Sequence, residues 1–400
     1  MLATLLVALV VRLSGRGADR LSSRGTTFSL LGFGAVVGVL LECMPFSAVR
    51  GAISARTIVA GLAGVFGARL IARGVRAWAV GYRDEDRGAP RASARLIHPV
   101  LSAGIAFSGV FVMHESCASR HLALEIATTA RDATTHVVHG AEPLDLRGGD
   151  DARTAVLLLH GFVGSPPDFG ELPAALAGAG FDVRAPLSPG HGTTPRDLAE
   201  SGPSAWFSAA LAEYDSLAET HERVAVVGFS MGGLLAEHVA AARPVSALVL
   251  VNPFSGEITT PSWCPVPADT LLRALAPFVE YVMRSDAFVR VYDRSAVPKL
   301  RAYRTIPLAP AVALQEAAGV AATDGTLARI DAPTLLILSE TDRAAPAETA
   351  RRYLEPLRER LGAERMQVET FAASDHLIFL DRERDTVIPR VVDWLRAQGR

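Results

Sequence analysis

Gly228-Phe229-Ser230-Met231-Gly232 sets a serine between two glycines. A serine hydroxyl attacks well only with a base in hydrogen-bond reach and a third group to hold that base. Of the ten histidines, His98 and His114 lie in or beside an apolar run, and His121, His136 and His139 precede the first core strand. His221 and His238 flank the serine on helical stretches. His376 differs, because it follows the last strand-like segment in "AASDHLIFLDRE", on a loop ahead of a final helix, and it is the candidate base. The acid should stand at the C-terminal end of a late strand, before the histidine in the chain. Asp342 in "APTLLILSETDRAAP" does so, with Glu340 and Asp375 as alternatives. An oxyanion forming on an attacked carbonyl needs backbone N–H donors. Met231 supplies one and Phe162, in "LLLHGFVGS", the other, while His160 braces that loop. This chemistry is acyl transfer through an acyl-enzyme, and it calls for no metal and no organic cofactor.

The pentapeptide alone is a weak signal; the elements around it make it specific. It ends the apolar strand "RVAVVGF" and opens the helix "GGLLAEHVAAA", the strand–turn–helix of a nucleophile elbow. The flanking glycines suit a tight turn in which a Cβ would strike neighbouring backbone. Further strands are expected at "TAVLLLHG", "FDVRAPL", "SALVLVNPF", "APTLLILSE" and "MQVETFAA". Most are continuous apolar runs, as strands covered on both faces require. Helical stretches such as "FGELPAALAGAG" alternate with them, so the expected class is α/β with a mostly parallel, doubly wound sheet.

Residues 136 to 398 resemble the α/β-hydrolase fold, and within it the carboxylesterase and monoacylglycerol-lipase-like members. The resemblance rests on "LLLHGFVGSPPDF", "APLSPGHGTTPRDL", "GFSMGG", "PTLLILSETD" and "ASDHLIFLDRERDTV", in that order. It implies a serine hydrolase with Ser230, Asp342 and His376 as catalytic residues and Phe162 and Met231 at the oxyanion. It also implies that Gly190-His191-Gly192 shapes a loop beside the site, and that a cap occupies residues 255–331. In that cap "ADTLLRALAPFVEYVMRS" reads as an amphipathic helix after the proline-rich "TTPSWCPVP". Trp263, Leu271, Leu275, Phe278, Tyr281 and Met283 could line an acyl pocket or simply pack the cap onto the core.

The first 115 residues have no part in that resemblance. Half of the whole chain is apolar, and the excess is concentrated here. Residues 25–41 carry no charge and continue, after Glu42, to Val49; 57–68 and 96–113 are similarly apolar. A membrane helix needs about 20 such residues. The alternative of buried helices in a water-soluble domain is disfavoured, because these runs offer almost no polar face. Arginines cluster at 12–24 and 73–95, which places both stretches in the cytoplasm and, with three spans, everything after residue 115 outside it. The opening "MLATLLVALVV" is too short to assign. The expected organisation is therefore a membrane-anchoring region over 1–115 with about three transmembrane helices, a linker over 116–135, and an α/β-hydrolase domain over 136–400.

A net charge of -2 gives no reason to expect a nucleic-acid partner. The three cysteines, Cys43, Cys117 and Cys264, form no CxxC pair, although Cys117 and Cys264 could bond in an oxidising compartment. The expected function is hydrolysis of small-molecule or lipid-derived carboxylic esters at a membrane, monoacylglycerols or lysolipids among them. An aminopeptidase or thioesterase with the same triad is the nearest alternative, with Glu257, Glu280 or Asp286 as the anchor for a substrate amine. A catalytically silent binding domain is the more distant one.

Overall fold

A computed structural model of the chain describes residue 111 and residues 113–150, 152–257 and 266–399. The chain divides into two units, 1–120 and 121–400. The expected membrane spans lie outside the described residues, save for Phe111 and Met113. Among the described residues no helix is long and apolar enough to cross a membrane. Cys117 is a free thiol, and Cys264 lies outside the described residues.

In chain order the elements are α1 (113–128), β1 (Leu144–Leu146), β2 (Thr154–Leu159), α2 (Leu172–Gly178), β3 (Asp182–Ala185), α3 (Pro203–Ala218), β4 (Arg223–Phe229), α4 (Met231–Ala242), β5 (Ala247–Val251), α5 (Ala268–Leu275), β6 (Tyr281–Met283), β7 (Thr305–Pro307), α6 (Leu308–Ala321), β8 (Thr334–Ser339), α7 (Ala347–Arg365), β9 (Met366–Phe371) and α8 (Arg384–Gln398), with shorter helical turns between them. The main sheet runs β1-β3-β2-β4-β5-β8-β9. Only the edge strand β1 is antiparallel to its neighbour. β2, β5 and β8 are buried at every position, which is why they read as unbroken apolar runs.

Two cores sandwich this sheet. On one face Phe169, Leu172 and Leu176 at α2 meet Val387, Val391 and Trp394 of α8. On the other, Trp206 of α3, Leu234 and Val239 of α4, Leu314 of α6 and Leu354 of α7 pack together. α4 is buried along nearly its whole length, Glu237 included, so it lies in the core rather than on the surface.

One stretch differs from expectation. "ADTLLRALAPFVEYVMRS" does not form one helix: α5 stops at Leu275, and Tyr281-Val282-Met283 instead pair antiparallel with Thr305-Ile306-Pro307. Pro277 lacks the N–H that a continued helix needs, and the aromatic and β-branched residues after it suit a strand. The segment 116–135, expected as a linker, is helical through 128. Beyond residue 120 this segment is tied to its surroundings by polar contacts. Glu125 accepts the N–H groups of Arg304 and Thr305, at 2.8 Å each, and Arg131 Nε donates to the Thr193 carbonyl at 2.8 Å.

Candidate active site

β4 delivers Ser230 at a turn that the backbone resists. Its φ of 56° and ψ of -120° are a conformation side chains avoid. The turn closes because residues 228 and 232 lack side chains. A Cβ on Gly232 would lie 1.8 Å from the Leu159 carbonyl oxygen, and one on Gly228 would lie 2.2 Å from that of Gly232. The Ser230 N–H donates to the Val251 carbonyl at 3.1 Å, which pins the turn to the next strand.

The structure brings the three side chains singled out by sequence into one row. His376 Nδ1 is 2.6 Å from Asp342 Oδ2, and Nε2 is 2.9 Å from Ser230 Oγ. A carboxylate can only accept, so Nδ1 carries the hydrogen and Nε2 is left to accept from the serine hydroxyl. The other Asp342 oxygen accepts the N–H groups of Ala344 and Ala345, at 2.7 and 2.8 Å. Burial pulls the His376 pKa down, but the charge and hydrogen bond of Asp342 outweigh it and hold the pKa above the ordinary histidine value. The Phe229 ring packs against the imidazole, 4.9 Å between centroids.

The alternative acids are occupied elsewhere. Glu340 pairs with Arg351. Asp375 accepts the Arg343 and His376 N–H groups, at 3.0 and 2.9 Å, and also binds the Arg343 guanidinium, so it ties the acid loop to the base loop.

Among the described residues, neither the Phe162 nor the Met231 N–H donates to a backbone acceptor, so both remain available to an incoming oxygen. The loop that holds Phe162 is braced by His160. Its Nε2 accepts the Ser188 N–H at 3.0 Å, and Nδ1 donates to the Gly161 carbonyl at 2.9 Å. Full burial drives its pKa down to about 4, so it stays neutral and keeps both bonds. His191 packs edge-on against His160 and Trp206, and burial lowers its pKa to about 3.

Three supporting residues escaped the sequence reading. Asn252, with φ of 43°, donates Nδ2 to the His376 carbonyl at 2.9 Å and accepts the Ser339 N–H at 2.7 Å. Asp381 accepts four backbone N–H groups, from Tyr292, Asp293, Asp375 and Arg382, and so joins the cap to the base loop. Asp168 is buried beside the oxyanion loop. The position of Asn252 straight after "LVLV", at a strand's C-terminal end, was a usable signal; the two aspartates gave none.

The apolar cap residues divide. Tyr281 is buried, Leu271, Leu275 and Met283 are half-buried, and Trp263 lies outside the described residues. Phe278 points outward, 62% exposed, because α5 ends before reaching it, so it lines no enclosed pocket.

The chain is similar to known proteins. Residues 156–389 match the model of the alpha/beta hydrolase family. A carboxylesterase of Bacillus subtilis (strain 168) is 26% identical over 255 residues, covering 64% of this chain and 96% of that protein. A thermostable monoacylglycerol lipase of Bacillus sp. (strain H-257) is 27% identical over 265 residues, covering 64% and 95%. Among solved structures, a metagenome-derived lipolytic enzyme is 28% identical, with a TM-score of 0.54 over 65% of this chain and 99% of its own. The monoacylglycerol lipase of Paleococcus ferrophilus is 25% identical, with a TM-score of 0.52 over 64% and 98%. A parallel sheet that carries a serine on a strained turn, and a family match over more than half of the chain, lead to one conclusion: the protein belongs to the alpha/beta hydrolase family and is a serine hydrolase.

Proposed function

We propose that the protein hydrolyses carboxylic esters of lipid-derived alcohols, with Ser230 as nucleophile, His376 as base and then acid, and Asp342 as the group that orients the imidazole. The observation that carries this reading is the unbroken row Ser230–His376–Asp342, with contacts of 2.9 and 2.6 Å, at the C-terminal ends of β4 and β8. Ser230 Oγ attacks the ester carbonyl while His376 Nε2 takes its proton. The N–H groups of Phe162 and Met231 stabilise the oxyanion, each donor contributing about 3 kcal/mol in comparable sites. His376 returns the proton to the alcohol oxygen as the C–O bond breaks. Water, activated by the same imidazole, then releases the acid and restores the serine.

A lipid-derived substrate is supported by the similarity to a carboxylesterase and a monoacylglycerol lipase. Of the three candidate anchors for a substrate amine, Glu257 already pairs with Arg352 at 2.9 Å and Asp286 with Arg304 at 3.1 Å, which leaves the aminopeptidase reading with Glu280. The proposal includes a membrane-anchoring region before residue 116, of about three helices, with the catalytic domain outside the cytoplasm. Its support is the uncharged run 25–41, its two companions and the arginine bias. Parallel assays test the chemistry: monoacylglycerols and p-nitrophenyl acyl esters are expected to turn over, and aminoacyl amides are not. Amide cleavage without ester cleavage would overturn the reading.

A further inference from the structure

The Phe162 N–H can serve an oxyanion only while its loop is held still, and the loop does not hold itself. Val163, the next residue, sits at φ 59°, a conformation that a β-branched side chain strongly resists. Strain of this kind persists only where the surroundings fix it from outside. The outside brace is a strap of the cap, residues 301–305. The Tyr303 N–H donates to the Val163 carbonyl at 3.1 Å, and the Ser165 hydroxyl donates to the Arg301 carbonyl at 3.4 Å. Tyr303 is itself buried. Its hydroxyl accepts the Thr193 N–H and donates to the Gly190 carbonyl, at 2.8 Å each, so the strap also holds the loop of residues 190–193.

The grip on the strap comes from far back in the chain. Arg304 and Thr305 follow Tyr303 directly, and their two successive N–H groups both donate to Glu125, one to each carboxylate oxygen, at 2.8 Å. Two donors on one carboxylate set the strap's orientation as well as its position. The same segment holds the other side of Tyr303. Arg131 Nε donates to the Thr193 carbonyl and the Val138 N–H to the Gly192 carbonyl, both at 2.8 Å. Glu125 therefore acts on the oxyanion loop in two hydrogen-bonded steps, carboxylate to strap and strap to Val163, whose neighbour is Phe162. Glu125, Arg131 and Val138 all precede residues 156–389, the stretch that matches the family model.

We propose that Glu125 is a positioning residue for the oxyanion hole: through the cap strap it holds the Phe162 N–H where the oxyanion forms. The inference rests on the ester-hydrolase reading of the site, with Phe162 as an oxyanion donor. A displaced donor still lets the substrate bind but stabilises the oxyanion less, so the loss belongs in kcat rather than in KM.

The test uses the full chain in detergent micelles, well below the melting transition of each variant, with p-nitrophenyl decanoate as substrate. Glu125→Ala is expected to lower kcat about tenfold and to leave KM within about twofold of the parent value. Inhibition by a long-chain alkyl trifluoromethyl ketone, whose adduct with Ser230 carries the same oxyanion, should weaken by the same factor as kcat/KM. Glu125→Gln keeps one acceptor oxygen and should recover part of kcat. Nearly the same size as the parent residue, it also carries the test if Glu125→Ala does not fold. A lowered melting temperature with kcat, KM and ketone inhibition at parent values would make Glu125 a staple for its own segment and overturn the proposal. So would a rise in KM at constant kcat. Where only Glu125→Gln folds, parent values of kcat and of ketone inhibition would overturn it likewise. No turnover by the parent protein would remove the ester-hydrolase reading itself, whereas turnover with kcat unmoved in the variants removes only the role of Glu125.

Discussion

Ser230 holds a backbone conformation that costs a residue with a side chain on the order of 1–3 kcal/mol. The surroundings sustain it because the turn aims Oγ at His376, and Asp342 holds the far side of that ring at 2.6 Å. This balance sets a pH dependence. The imidazole must be neutral to take the serine proton, and its pKa is held above the ordinary histidine value. The kcat/KM profile should therefore fall as pH drops, with the acid limb centred above the usual histidine value of about 6.5. Asp342→Asn should move that limb to lower pH and reduce kcat by about 10⁴-fold. A limb that stays in place in Asp342→Asn would show that Asp342 does not set it. The type and order of these residues were legible in sequence, since a histidine loop after the last strand and an aspartate at a late strand's end are positional cues. Asp381 was not, because its role depends on loops brought together from distant parts of the chain.

At the scale of elements, β4, its turn and α4 form one unit whose packing leaves no room at residue 232. Gly232→Ala would drive a methyl group into the Leu159 carbonyl, which is main chain of the adjacent strand and cannot swing aside. Overpacking of this kind costs about 1–3 kcal/mol, so a lower melting temperature is expected together with loss of ester hydrolysis. The next turns of α4 hold a different kind of tension. Burial raises the Glu237 pKa to about 8 from 4.5, although the Tyr353 hydroxyl donates to the carboxyl at 2.8 Å. The folded protein thus keeps a proton that the unfolded chain has already released, and stability falls as pH rises from about 4.5 to about 8. Glu237→Gln removes that slope. Its melting temperature relative to the parent should climb by several degrees, on the order of 4 kcal/mol, between about pH 5 and about pH 8. A difference that is flat with pH would contradict the assignment.

Five of the six strands read from sequence are the interior of the sheet, where burial on both faces writes itself into composition, and the sixth, β9, is an edge strand with mostly uncovered side chains. The elements that escaped, β1 and the β6–β7 pair, are three residues each and lie at an edge or in the cap. Tertiary pairing, rather than a periodic pattern, makes strands of them. The same holds for 268–285, where eight amphipathic residues gave a helix and the residues beyond Pro277 found partners in Thr305–Pro307 instead.

For the molecule as a whole, the proposal joins a bilayer anchor to a lipid-ester hydrolase. The full chain should remain in the membrane fraction after alkaline carbonate washing, and its release by carbonate would contradict the anchor while leaving the chemistry intact. The central claim is narrower and more exposed, that Ser230 carries the acyl group. Its most direct measurement is to label the intact protein with a fluorophosphonate, map the modified peptide by mass spectrometry, and assay monoacylglycerol hydrolysis in Ser230→Ala. The account predicts a single adduct on Ser230, no labelling of the variant, and a loss of activity of at least about 10⁴-fold. An adduct on another residue, or ester hydrolysis at the parent rate without the Ser230 hydroxyl, would contradict it.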